Sequence, residues 1–186
     1  MKKQLLILPL LMISLQIFSQ EDMNTGIIYG KTHAYSLTAP DGWILDNKSG
    51  VKQGLYAVFY KKGSSWQNAE TVMYTNTGSL ENPAHTSLEQ LIKYDMDDFR
   101  KQYKDLNISD GENIVIKNNI VAKIKYLSGK SYGNFEAIAY IDAGKNGIMI
   151  VMSARTKEGF DSSLSAFETL VKSYFHIADN VTIEKK

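Results

Sequence analysis

Residues 148–152, "IMIVM", are apolar at every position, and this run constrains the fold more than any other part of the sequence. A strand with one face in water alternates apolar and polar residues, whereas a strand that is covered on both faces can be apolar throughout. Turn-forming residues at 144–147 precede the run. The sequence therefore predicts a central strand in a sheet that is covered on both sides.

Two other segments have the three-to-four-residue spacing of amphipathic helices. In residues 88–103 the apolar side chains recur at this spacing, and Thr86 with Glu89 fits a capping box at the start. A second helix is predicted over residues 161–175, with Asp161 as its N-cap. Both helices can bury one apolar face against a sheet.

Most of the remaining chain is predicted to form strands separated by turns. Residues 35–38 and 43–45 flank a Pro-Asp-Gly turn, and residues 55–62 and 70–76 resemble a hairpin with a longer loop. Three runs after the first helix, "IVAKIKYL", "NFEAIAYIDA" and "GIMIVMSAR", indicate an antiparallel meander. This order of elements predicts an α+β fold, with a central antiparallel sheet packed by helices.

Several of these segments resemble the PsbP/Mog1-like superfamily. They are "APDGW" at residues 39–43, "TSLEQL" at 86–91, and "IMIVMSAR" running into "TKEGFDSSLSAFETLVKSYF" at 148–175. The resemblance covers about residues 32–176 and implies a central antiparallel sheet flanked by helices on both sides, an α/β/α sandwich. Members of this superfamily mostly act as binding or assembly modules, so the resemblance implies a binding function and supplies no catalytic motif.

The first twenty residues have the layout of a bacterial signal peptide. Two lysines precede a mostly apolar run that is interrupted by Pro9 and is too short for a stable membrane span. We expect cleavage near Ser19 or Gln20, then a flexible lead at 21–31, a single domain at 32–176 and a polar tail at 177–186. The mature protein is thus predicted to be exported, either periplasmic or secreted, with no stable membrane span after cleavage.

Composition excludes several classes of function. The chain has 21 Lys and Arg against 20 Asp and Glu, and removal of residues 1–20 takes away two lysines. A nearly neutral chain lacks the basic surface that nucleic-acid binding requires, so we expect no nucleic-acid partner. The sequence contains no cysteine, which removes disulfides, thiol catalysis and cysteine metal sites.

The remaining reactive side chains do not form a recognisable site. His33, His85 and His176 are scattered, and Asp95, Asp97 and Asp98 point in different directions on a helix. No G-x-S-x-G motif and no phosphate-binding glycine pattern occurs. We therefore predict no catalytic, metal or cofactor site and expect that the protein is not an enzyme.

Loop aromatics give the strongest indication of a binding site. Trp66 lies in the predicted loop "GSSWQNA", with Lys61 and Lys62 just before it, and Tyr132 lies in the loop "SGKSYGN". Large exposed aromatics are enriched in binding hot spots, and the lysines would attract an acidic partner. The alternative is that Trp66 folds back over the sheet and covers the core.

These observations predict an exported, non-enzymatic module that binds another protein through loop aromatics or an exposed sheet edge. A different class of function is a carrier of a small hydrophobic ligand, since the eleven tyrosines and seven methionines would line a pocket between sheet and helix. A hydrolase whose catalytic residues come together only in the fold is a third alternative.

Overall fold

The computed structural model describes residues 24–181, which contain eleven strands and two α-helices. The predicted signal peptide at 1–20 lies outside the described residues, as does the end of the predicted tail. The strands are β1 (Thr25–Tyr29), β2 (Ala34–Thr38), β3 (Trp43–Asp46), β4 (Val58–Lys61), β5 (Thr71–Ser79), β6 (Asn107–Asp110), β7 (Ile114–Val115), β8 (Val121–Ser128), β9 (Phe135–Ala143), β10 (Asn146–Ala154) and β11 (Phe175–Ala178). The α-helices are α1 (Leu88–Gln102) and α2 (Lys157–Lys172), and single 3₁₀ turns occupy Val51–Gln53 and Lys117–Asn119.

The large sheet is antiparallel and has β10 at its centre. Its strand order is β3-β4-β5-β10-β9-β8-β6, with β7 paired to β8 beside β6. β10 pairs along its whole length with β5 on one side and with β9 on the other. The predicted hairpin, the predicted meander and the central position of residues 148–152 are confirmed, and so is the α+β fold class.

Each face of β10 is covered by a separate layer. Met149 and Val151 face α1 and join an apolar cluster with Leu91 and Met96 of that helix. The side chains that alternate with them, including Ile150, face α2 and a small sheet in the larger cluster. Burial of each such side chain stabilises the fold by roughly 1.5–3 kcal/mol. Helix, sheet, and a mixed layer of helix and small sheet therefore form the three layers.

The small sheet joins both ends of the described chain. Its strand order is β1-β2-β11, and all pairs are antiparallel. The flexible lead expected at 21–31 must therefore be corrected for Thr25–Tyr29, because β1 pairs with β2 over five residues and buries Ile28. The polar tail expected from residue 177 must also be corrected, because β11 continues to Ala178.

Both helix N-caps differ from the predicted ones. Ser87, not Thr86, caps α1, and its hydroxyl accepts a hydrogen bond from the Gln90 N–H at 3.3 Å. Ser87 with Gln90 matches the same sequence pattern one residue later, and Leu88 is then free to pack on the sheet. Thr156, not Asp161, caps α2 by accepting from the Gly159 N–H at 3.0 Å. Helix α2 consequently begins and ends earlier than predicted.

The position of the α1 cap can be tested by two alanine substitutions. We expect Ser87→Ala to lower the free energy of unfolding by about 1 kcal/mol, because one N–H of the first helical turn loses its acceptor. Thr86→Ala should change it by less than about 0.5 kcal/mol, since the Thr86 hydroxyl makes only a solvent-exposed hydrogen bond to Gln90 Oε1 and the backbone N–H bond to the same oxygen is kept. Urea denaturation of both variants measures the difference, and a larger loss in Thr86→Ala would contradict the assignment.

Candidate functional site

The outward-facing side of the small sheet, called the outer face below, is the most prominent exposed apolar surface in the described chain. Four large apolar side chains on it are exposed by 44–64%: Ile27, Tyr29, Phe175 and Ile177. The same strands turn Ile28, Tyr35 and Leu37 inward, where all three are buried. The alternation of a strand thus places one set of apolar residues in the core and leaves the other in solvent.

The strand register places large apolar side chains on the two outer strands of the outer face and small side chains on the middle strand. Ile27 of β1 and Phe175 of β11 both lie opposite Ser36 of the middle strand β2. In the next row Tyr29 lies opposite Ala34, and Ile177 occupies an irregularity in the β11 pairing beside it. Because the middle strand carries only small side chains here, the face is a shallow trough between two apolar ridges.

The outer face carries no charge among the described residues. Besides the four large side chains it contains only Ala34, Ser36 and two threonines, Thr25 and Thr38, whose hydroxyls are 2.8 Å apart. A contiguous exposed apolar surface of this kind is characteristic of interaction sites. A partner must therefore also be uncharged where it touches the outer face, since burial of an unpaired charge is strongly unfavourable.

Trp66 lies against the large sheet and not free in solvent. Its ring packs edge-on against Tyr74 with centroids 6.1 Å apart, and its Nε1 donates to Gln53 Oε1 at 3.4 Å. Lys61 lies on the opposite face of the sheet, with its Nζ 5.9 Å from the centre of the Trp43 ring. Lys62 is exposed. The structure therefore separates Lys61 from Trp66 although they are near in sequence.

Tyr132 contacts both the C-terminal end of α1 and the large sheet. Its hydroxyl donates to Glu136, and its ring packs edge-on against Tyr103 at 4.9 Å and Phe99 at 6.0 Å. The loops of Trp66 and Tyr132 do lie at the same end of the large sheet, because Thr71, Ala154 and Phe135 are aligned across β5, β10 and β9. Two strand spacings, about 10 Å, separate the two loops.

The predicted divergence of the acidic side chains on α1 is also seen. Asp95 accepts from the Tyr140 hydroxyl at 3.1 Å, Asp97 pairs with Lys93, and Asp98 accepts from Gln102. Among the described residues no group of three His, Asp or Glu side chains could hold a metal ion. Within residues 24–181, moreover, no helix is long and apolar enough to span a membrane.

The outer face could not be predicted because two predicted boundaries differ from those in the structure. The strand "TGIIY" falls in the predicted flexible lead, and Phe175 falls at the end of the predicted second helix. The β-branched and aromatic composition of residues 25–29 was the available signal for a strand. No sequence signal could show that β1 and β11, almost 150 residues apart, flank the same central strand.

Comparison with solved structures supports the fold. Cyanobacterial PsbP (CyanoP) from Synechocystis sp. PCC 6803 is 12% identical, with a TM-score of 0.51 over 86% of this chain and 96% of that chain. The Saccharomyces cerevisiae Ran-binding protein Mog1p is 10% identical, with a TM-score of 0.48 over 82% of this chain and 95% of that chain. A Mog1 point mutant gives 10% identity and a TM-score of 0.47 over 82% and 96% of the two chains.

The chain therefore has the fold of cyanobacterial PsbP (CyanoP), in agreement with the sequence resemblance. At 12% identity, the similarity to CyanoP is evidence of the fold alone. No family model matches the sequence, and no curated protein matches it.

The buried Glu136 should make stability depend on pH. Burial raises its pKa above the ordinary 4.5, although the hydrogen bond from Tyr132 opposes this shift. A carboxyl whose pKa is raised on folding contributes stability that is fully present below the unfolded pKa and is lost as the pH rises through the folded pKa. We expect unfolding free energy to fall less between pH 4 and pH 7 in Glu136→Gln than in the wild type.

Urea denaturation at a series of pH values measures this difference. Glu158→Gln is the matched control, because it makes the same substitution at an exposed position of α2. If Glu136→Gln has the wild-type pH dependence, the buried carboxyl is not responsible for it.

Proposed function

We propose that this protein is an exported, non-enzymatic module that binds another protein through the outer face of the small sheet. The observation that carries the proposal is the uncharged outer face, with four large apolar side chains exposed around a low centre. The proposed partner presents an uncharged apolar segment that fills the trough between Ile27 and Phe175. Export rests on the signal-peptide layout of residues 1–20.

Buried side chains beneath the outer face hold the small sheet in one conformation. Tyr35 and Leu37 are exposed by no more than 1%, and the Tyr35 ring packs against Tyr174 with centroids 5.5 Å apart. The Ser173 hydroxyl donates a hydrogen bond to the Leu170 carbonyl and accepts one from the backbone N–H of Thr38. These bonds join the end of α2 to the small sheet. A surface that is already ordered loses little conformational entropy on binding, which favours affinity.

We propose Lys62, Trp66 and Tyr132 as the alternative contact region, without Lys61, which lies on the opposite face of the large sheet. This region does not belong to the outer face and differs from it in charge, because Lys62 is exposed. Binding at this region would weaken as ionic strength rises, whereas binding at the uncharged outer face would change little. Salt dependence therefore distinguishes the two regions.

The partner can be identified by photo-crosslinking in the native host. A photoreactive amino acid replaces Ile27 or Phe175 on the outer face, and Val115 serves as an exposed apolar control on β7. Support requires that both outer-face positions capture the same protein, that Val115 does not, and that the purified pair binds. The proposal would be overturned if both positions captured only a second copy of this chain, only lipid, or nothing above the Val115 background.

A charge on the outer face should weaken binding without unfolding the protein. We expect Phe175→Glu to weaken the purified complex by about 30-fold, because the carboxylate would be desolvated against an apolar partner. The side chain is 53% exposed, so the free protein should keep its thermal midpoint within a few degrees. Val115→Glu should bind as the wild type does in the same titration, and equal losses in both variants would contradict the assignment.

Export can be tested separately by the mass of the protein recovered from the native host. A mature chain that begins near Glu21 in the periplasmic or culture fraction is the expected result. A full-length chain that stays in the cytoplasm would contradict the export proposal and leave the outer-face result unaffected.

A further inference from the structure

Strand β1 is an edge strand of the small sheet, and hydrogen bonds at its two ends fix the direction of its backbone groups. The Ala39 N–H donates to the Asn24 carbonyl at 2.8 Å, and the Gly30 N–H donates to the His33 carbonyl at 2.9 Å. In an antiparallel pair, the N–H and C=O of alternate residues point to alternate sides of the strand. The even-numbered residues of β1 therefore bond β2, and the odd-numbered residues point away from it.

The outward N–H and C=O groups of Thr25, Ile27 and Tyr29 form a surface called the β1 edge below. Among residues 24–181, β1 pairs only with β2, and no other backbone group bonds the β1 edge. The same three residues place their side chains on the outer face, where Ile27 is 64% exposed and Tyr29 is 57% exposed. A partner of the outer face can therefore also reach unpaired backbone groups.

Strand β1 lacks the features that protect other edge strands of this fold. Charged side chains, prolines and irregular pairing hinder association at a sheet edge. The pairing of β11 is irregular after His176, β6 ends in Asp110, and β3 ends in Asp46. By contrast, Thr25–Tyr29 contains no charge and no proline, and it pairs with β2 in unbroken register. This edge is therefore suited to pair with a further strand.

Strand β1 is also held in place by packing beneath it. Ile28 is buried, and Gly26 lies so close to β3 that a Cβ there would be 2.8 Å from Leu45 Cδ1. A strand that is already ordered loses little conformational entropy when another strand pairs with it. The β1 edge is thus prepared for strand addition.

The outer face alone is small for a stable protein complex. It spans three strands of four or five residues, roughly 14 by 17 Å from the usual strand spacing and rise. A specific interface buries about 800 Å² on each partner. The partner therefore needs contacts beyond the outer face, and the β1 edge is continuous with it.

We propose that the partner adds an extended, uncharged segment to the β1 edge as a fourth strand of the small sheet, while adjoining residues of the partner cover the trough. The inference rests on the proposed function, because it concerns a partner of the same outer face. Backbone hydrogen bonds to the β1 edge supply affinity in this mode of binding, and alternate side chains supply specificity. The partner side chains next to Ile27 and Tyr29 must be uncharged, because their neighbours are apolar.

A second copy of this chain fits the β1 edge less well than a different protein does. If two β1 strands paired antiparallel about a twofold axis, the two small sheets would join into one six-stranded sheet. Both outer faces would then lie on the same side of that sheet, and their apolar side chains would stay exposed. Only a chain that also covers the trough removes this apolar surface from water.

The direct test is amide exchange measured by NMR for each residue, in the mature protein alone and in complex with the purified partner that crosslinking at Phe175 identifies. In the free protein, the odd-numbered amides of β1 should exchange faster than the even-numbered ones, because only the even-numbered amides bond β2. We expect the partner to slow the odd-numbered amides to the rates of the even-numbered ones.

The same measurement separates failure of this inference from failure of the proposed function. If the odd-numbered amides of β1 keep their free-protein rates while amides of β2 and β11 become protected, strand addition is wrong and the outer face remains the binding site. If no amide of the small sheet becomes protected, both proposals are wrong.

Ile27→Pro and Ile27→Ala form a matched pair of variants. Both remove most of the same exposed side chain, but only proline also removes the outward N–H. Proline is tolerated in an edge strand where its nitrogen faces away from the neighbouring strand, so the two free variants should have similar thermal midpoints. We expect Ile27→Pro to bind the purified partner about tenfold more weakly than Ile27→Ala.

Equal affinities of the two variants would contradict strand addition. If Ile27→Pro does not fold, the amide exchange of the wild-type complex decides the question without it.

Discussion

The structure depends on the burial of β10 on both faces. A strand that is apolar throughout cannot lie at an edge or on a surface, so it requires neighbours on both sides and a layer above and below. Strands β5 and β9 supply the neighbours, α1 covers one face, and α2 with the small sheet covers the other. The remaining features of the fold follow from how these layers are completed.

Helix α2 alone does not complete the second layer, and this explains the outer face. The small sheet fills the remaining area with the inward side chains of β1 and β2. A three-stranded sheet with one apolar inner face still has an outer face, and here that face is also apolar. The outer face thus arises from this additional sheet.

Sequence patterns predicted the large sheet well because its signals are local. The apolar run in β10, the spacing in α1 and the turns of the meander each depend on a few neighbouring residues. The predicted cap of α1 is one residue too early because two overlapping matches to one motif, at Thr86 and at Ser87, cannot be ranked without the packing of Leu88. The outer face depends on pairing between the two ends of the chain, and Tyr132 bonds to Glu136 only in the folded sheet. Such contacts have no local pattern.

The central claim is tested most directly by hydrogen–deuterium exchange of the protein, alone and in complex with the purified partner that crosslinking identifies. Exchange reports which backbone amides become protected when the complex forms. The account predicts slower exchange in β1, β2 and β11, with no change in the loops at residues 62–70 and 129–134. Protection confined to those two loops, with β1 and β11 exchanging as in the free protein, would contradict the assignment of the outer face as the binding site.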